Sequence, residues 1–215
     1  MGKRFQAVLG AVCLGLVTAE AGAVDTAVTA KLGSLGLGLE GTFGLAEHFN
    51  ARLGLNRYDY DRSETISDIE YDLDLEWRSI SLLADWHPFG NAFRFTAGLM
   101  NNGNEMSGSS SSTGLTIGDT FYPGIGLDAK LDFDSTAPYL GVGWGNALSA
   151  GKGWGFNVDL GIMYQGSGNV SLTATGANAS LVDANDLALE ERRFEDDIKD
   201  YKYYPVFSFG VSYKF

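Results

Sequence analysis

Eight charged side chains fall on what a period-two reading makes the small, polar face of otherwise apolar runs: Glu40, Arg52, Asp74, Glu76, Arg78, Arg94, Asp159 and Lys214. Opposite charges that face each other in a confined space interact at a lower effective dielectric than in bulk water. Such groups either lock into an ion-pair network or line a path for ions, and Arg52 with Glu40 is the pair expected to meet on adjacent strands. Little else in the chain can do chemistry. The two histidines, His48 and His87, sit in short polar segments that read as turns, and a serine without a placed base is no nucleophile. No catalytic residue is assigned, and the chain is not read as an enzyme. Two histidines and a single cysteine exclude a zinc site built mainly from those ligands, so neither metal nor cofactor is expected. Gly36 to Gly41 fits the dinucleotide-binding pattern, but it lies within a strand rather than between a strand and a helix.

The balance of 27 acidic against 15 basic residues gives a formal charge of −12. That argues against nucleic acid as a partner, because phosphates are held by a basic footprint. The acids gather in two polar stretches, as Asp61, Glu64, Asp68 and Glu70, and as Asp183, Asp186, Glu190, Glu191, Glu195, Asp196, Asp197 and Asp200. No calcium-loop spacing occurs among them, so they read as solvated faces.

The elements that hold these residues begin after an export signal. Lys3 and Arg4, an apolar run from Ala7 to Ala19, and Ala21-Gly22-Ala23 form a cleavable signal over residues 1–23. Cys13 is removed with it. No later stretch offers the roughly 20 apolar residues of a membrane helix. Alternation takes its place. Tyr203, Pro205, Phe207, Phe209, Val211, Tyr213 and Phe215 share one face, with Ser208, Gly210, Ser212 and Lys214 on the other. Phe156 to Tyr164, Pro138 to Trp144, Phe93 to Leu99 and Leu35 to Phe43 repeat the pattern.

A soluble sandwich would put Lys, Glu and Thr on the second face. Here that face is rich in glycine, which suits the tight curve of a barrel lumen, and aromatics stand near the strand ends, as at Trp86, Phe89, Phe93, Trp144, Trp154 and Phe215. The expected fold is an all-β transmembrane antiparallel up-and-down barrel over residues 24–215. Leu45 to His48, Pro88 to Asn91 and Ser149 to Gly153 are short periplasmic turns. Segments near 61–69, 102–135 and 175–202 are extracellular loops, the last with a short amphipathic helix around Leu187, Phe194, Ile198 and Tyr201. Seven strands are plain, and evenness requires an eighth, supplied by Val24 to Leu32 through a Gly33-Ser34 turn; ten strands, with a hairpin within 113–134, is the less favoured count. Tyr71 to Trp77 and Ile80 to Trp86 alternate in opposite phases, which predicts a bulge near Arg78-Ser79.

Phe207, Phe209, Val211, Tyr213 and the terminal Phe215 resemble the C-terminal assembly signal of Gram-negative outer-membrane barrels. The whole chain resembles the small OmpA/OmpW-like barrels, and the runs LLADWHPFG, APYLGVGWGN and GWGFNVDLGIMYQGS are similar to an uncharacterised proteobacterial outer-membrane group. The resemblance implies export through the periplasm to the outer membrane, contact with the barrel-assembly machinery through the last strand, and outer-membrane lipids and lipopolysaccharide as neighbours of a monomer. Lipid A-modifying enzymes of this architecture place Ser and His near the outer leaflet, whereas both histidines here fall in periplasmic turns. The expected role is structural or that of a narrow channel for ions or small solutes, the alternative being a surface-binding barrel whose acidic loops engage cations, lipopolysaccharide or a host ligand.

Overall fold

The computed structural model describes residues 25–66, 69–111, 114–148 and 151–215. The signal expected over residues 1–23 lies outside them, as do Asp68, Thr113 and Ser149. In chain order the strands are β1 (Thr26–Gly33), β2 (Gly36–Ala46), β3 (Phe49–Ile66), β4 (Ile69–Trp86), β5 (Phe93–Asn102), β6 (Glu105–Ser111), β7 (Gly114–Ile117), β8 (Thr120–Pro123), β9 (Gly126–Asp132), β10 (Thr136–Trp144), β11 (Gly153–Tyr164), β12 (Asn169–Thr175) and β13 (Tyr203–Lys214). One helix, α1 (Ala184–Ile198), precedes the last strand.

Eight of the strands close on themselves in the order β1-β2-β3-β4-β5-β10-β11-β13, with β13 pairing back onto β1, all antiparallel. Closure leaves no edge strand in the ring, so its backbone N–H and C=O groups all have strand neighbours. Among the described residues no helix is long and apolar enough to cross a membrane. The outward residues of the strands are large and exposed, among them Leu53, Leu82, Leu99, Leu140, Leu160 and Phe207. Aromatics gather at the rim that carries the start of β1, the end of β13 and the short turns. Trp86 stacks on Phe95 at 5.9 Å, Phe93 meets Trp144 edge-on at 6.4 Å, and Trp154 meets Tyr213 at 5.1 Å. Tyr164 and Tyr203 mark the opposite rim, 5.4 Å apart. Glycine on the inward face makes room for what fills the barrel. A Cβ on Gly143 would come within 2.7 Å of the Arg94 guanidinium carbon, and one on Gly141 within 2.5 Å of the Tyr139 hydroxyl.

At the loop rim the expected loops are largely built from strand. β3 and β4 stay in one register from Phe49↔Trp86 to Ile66↔Ile69, so most of 61–69 is a paired hairpin rather than a loop. Above the point where β5 leaves β4, β6 takes its place, then β9 and β12, so that β3, β4, β6, β9 and β12 form a sheet that rises out of the barrel wall. Segment 102–135 thus holds real strands without adding to the barrel count. The bulge expected at Arg78-Ser79 is absent from the β3–β4 pairing. The phase never changes; the surroundings do. Even positions of β4 face outward, apolar at Leu82 and Ile80 and charged at Glu76 and Asp74, while odd positions face the lumen at Asp85 and Ser81 and the sheltered inner side of the extension at Trp77 and Leu75. The first hairpin also turns one residue later than expected, at Ser34-Leu35, because Gly33 pairs with Gly36, whose φ is +88°. This puts Leu35 inside the barrel rather than on its outer face.

The extension has an edge at β12, and α1 covers it. Glu191 Oε1 accepts from the Leu172 amide at 2.8 Å and Glu195 Oε1 from the Val170 amide at 3.3 Å. Carboxylates one helical turn apart thereby stand in for the acceptors of an absent neighbouring strand. The helix begins at Asp183, whose side chain accepts from the Asn185 amide. Its first turn is tied to β8 by the Tyr122 hydroxyl, which donates to Asp186 Oδ2 at 2.6 Å and holds that carboxyl below its ordinary range.

Replacing Glu191 and Glu195 by alanine should raise amide exchange at Val170 and Leu172 roughly tenfold each, one lost charge-assisted bond apiece, with barrel amides unchanged by hydrogen–deuterium exchange. Because the folded state favours ionised Asp186, its contribution to docking is complete above pH ~4 and fades as pH falls through the lowered value. NMR titration of the Asp186 carboxyl carbon should therefore move up toward the ordinary aspartate range in Tyr122→Phe.

Candidate functional site

The lumen is filled in three layers. The middle one is charged and centred on Arg52, which β3 points inward and which is 4% exposed. Its NH1 donates to Glu40 Oε1 at 3.0 Å and its NH2 to Asp85 Oδ1 at 2.9 Å, Thr96 Oγ1 at 3.2 Å and Asp159 Oδ1 at 3.3 Å. Nε lies 2.7 Å from Asp85 Oδ2 as an ion-pair contact rather than a directed hydrogen bond. Arg94 approaches from β5, its NH2 2.6 Å from Asp159 Oδ1, and also donates to the Gly145 carbonyl. Lys31 Nζ closes the set 2.8 Å from Glu40 Oε2. Three cations thus meet three carboxylates, and the buried charges sum to zero. β3 and β11 stand opposite each other in the eight-strand ring, so the contact between Arg52 and Asp159 crosses the whole lumen.

Toward the loop rim the filling turns apolar, with Leu35, Leu83, Met100, Ala137, Tyr139, Met163 and Val206 buried together. Above them an aromatic bar spans the barrel. Tyr58 stacks on Trp77 at 5.2 Å, and Trp77 meets Tyr204 of the opposite wall edge-on at 6.2 Å. Toward the turn rim the filling is neutral and polar. The Asn50 amide lies 3.2 Å from His87 Nε2, and His87 Nδ1 lies 3.0 Å from the Asn91 carbonyl. If Nδ1 carries the proton and donates to that carbonyl, Nε2 accepts from Asn50. Among the described residues two small voids border Arg52, of about 20 Å³ on its apolar side and about 10 Å³ on its polar side. Each is of the size of one water or little more. The smaller is lined by Thr29 and Thr42, whose buried hydroxyls have no protein partner, so a water there would satisfy them.

Of the charges expected in the lumen, Glu40, Arg52, Arg94 and Asp159 come together in the middle layer. Lys214 lies apart at the turn rim, bonded to the Leu148 carbonyl at 2.7 Å and to Asp25 at 3.1 Å. Asp74, Glu76 and Arg78 are outside the barrel altogether. They occupy the even face of β4 above the membrane band, where Arg78 and Glu76 pair at 2.5 Å. Lys31, Asp85 and Thr96 were missed. Asp85 shares the odd phase of Ser79 and Ser81, and following that phase through the apolar LLADW run finds it; Lys31 belongs to a strand whose phase only its partner fixes. His87 is 2% exposed and packs into the lumen, where a turn residue at the membrane interface was expected. Phe207, Phe209, Val211, Tyr213 and Phe215 follow the outward phase of β13.

Arg52→Met leaves three buried carboxylates against two cations and should destabilise the barrel by about 3–5 kcal/mol, read as a lower urea midpoint of refolding in vesicles. Arg52→Met combined with Asp85→Asn should recover part of that loss.

No protein-family model matches the chain, and no curated protein matches it. Among solved structures it is similar to CarO2 of Acinetobacter baumannii, at 22% identity and a TM-score of 0.59, over 89% of this chain and 99% of that one. It is also similar to CarO of Acinetobacter baumannii, at 22% identity and 0.57, over 88% and 97%. A major outer membrane protein from Thermus thermophilus aligns at 13% identity and 0.47, over 90% and 100%. The likeness to the two Acinetobacter structures is one of fold, and it extends along nearly the whole of each chain: the protein is a closed, eight-stranded antiparallel β-barrel.

Proposed function

We propose that this chain is an outer-membrane barrel whose lumen is sealed, so that it serves as a structural anchor holding a stiff sheet at the cell surface. The observation that carries the reading is Arg52, whose guanidinium reaches carboxylates on both sides of the lumen and separates two voids of water size. An ion would have to displace a neutralised network rather than pass beside it. The apolar exterior with aromatic rims and the barrel's closure support a place in the outer membrane. An export signal over residues 1–23, passage through the periplasm and assembly by way of the outward aromatics of β13 belong to the same proposal, as does a monomeric barrel among outer-membrane lipids and lipopolysaccharide. It assigns no catalytic role.

A narrow channel is the second reading, favoured by the two voids that share Arg52 as a wall, since a turn of that one side chain would join them. The refolded protein in a planar bilayer should be silent under the anchor reading. Arg52→Ala should show small, flickering steps as water enters the middle layer. Discrete steps from the unaltered protein, with an ion preference that changes in Arg52→Ala, would replace the anchor by the channel.

A further inference from the structure

The outer surface changes character abruptly where the extension leaves the barrel. Leu39, Leu55 and Ile80 are partners across β2, β3 and β4, and they form the last apolar row. The next outward row is Leu37, Arg57, Arg78 and, on the far side of Arg78, Gly103, whose amide bonds the Arg78 carbonyl at 2.8 Å. Arg57 and Arg78 are direct cross-strand partners. Two like charges in that relation repel. Neither is buried: their side chains are 55% and 52% exposed. Asp59 and Glu76, the partners in the row above, hold them from the water side, Asp59 Oδ2 at Arg57 Nε (2.7 Å) and Glu76 Oε2 at Arg78 NH2 (2.5 Å). Arg57 is thus held through Nε, and its two terminal nitrogens have no partner among the described residues. Gly103 leaves the flank of Arg78 without a side chain.

We propose that Arg57 and Arg78 form a site for the phosphate of an outer-leaflet glycolipid. The argument is one of position and fit. A planar guanidinium fork matches a phosphate's oxygens, and two forks side by side offer donors from both edges while the anion relieves their mutual repulsion. Directly below lie Leu39, Leu55 and Ile80, an outward apolar row on which acyl chains of the same molecule can rest. The ligand is therefore amphiphilic, with its phosphate at the junction of chain and headgroup; a soluble phosphate ester would leave the apolar row bare. The inference rests on the outer-membrane placement proposed above.

The test compares the full barrel with R57Q/R78Q. Both are first refolded into phosphatidylcholine vesicles, and failure of the unaltered protein to insert there would overturn the membrane reading itself. Native mass spectrometry from detergent then measures retention of a bis-phosphorylated, acylated glucosamine disaccharide and of the same lipid without phosphates. The unaltered protein should retain the phosphorylated lipid and not the other. R57Q/R78Q should bind it roughly tenfold more weakly per arginine lost, one charge-assisted bond each. R192Q, which removes an exposed arginine from α1, should bind as the unaltered protein does. Equal retention by R57Q/R78Q, or equal retention of both lipids by the unaltered protein, overturns the site. Should the double variant not fold, R57Q and R78Q separately are read in the same way.

Discussion

A guanidinium cannot be left alone in the buried interior of a protein, and most of the barrel's filling follows from that constraint on Arg52. Removing a cation from water costs several kcal/mol unless anions and hydrogen-bond acceptors replace the solvent. Side chains from four other strands answer it: Glu40 from β2, Asp85 from β4, Thr96 from β5 and Asp159 from β11. Three carboxylates around one guanidinium are an excess of negative charge, which Lys31 and Arg94 bring back to balance. Arg94 in turn needs the glycine at 143, since any side chain there would occupy the space of its guanidinium. The glycine-rich inward face is thus the complement of a charged filling.

Beyond the closed ring the constraint changes. Inside, closure satisfies every strand; above the loop rim β3 and β4 continue with β6, β9 and β12 in place of the rest of the ring, and edges return. The β12 edge is met by Glu191 and Glu195 of a helix. The β3 edge beyond Arg57 instead carries Asp59 and Asp61 on its outer face, charges that discourage another strand from docking. The long acidic stretches noted in the sequence find part of their use here, as acceptors for exposed backbone and as guards on an edge.

Much of this was legible in the sequence because lipid and lumen impose opposite preferences on alternate residues. The outward phases of β5, β10, β11 and β13, the pairing of Arg52 with Glu40, and the helix near Leu187 and Phe194 are all local patterns. What escaped was the height at which the environment switches. Alternation in β4 is continuous, but a reader who assumes a lipid face throughout must insert a bulge at Arg78-Ser79 to explain why the apolar residues change sides. The same assumption carried Asp74, Glu76 and Arg78 into the lumen. Where a strand's outer face turns from apolar to charged depends on barrel tilt and on neighbours far away in the chain, and no local period records it. Likewise, the strands within 102–135 are short, and β6 and β9 gain their pairing from each other and from the distant β4 and β12.

The unbroken register of β3 with β4 through the loop rim has a mechanical meaning. The two strands are 18 residues each, and their hydrogen bonds run without interruption from the turn rim to the tip of the extension. A force applied at that tip along the strands pulls both together, and it is borne by the backbone bonds that tie them to β2, β5 and β6, loaded together in shear instead of opening one at a time like a zipper. The wall and its outward projection therefore bear load as one beam, with its foot clamped by the ion pairs that fill the barrel.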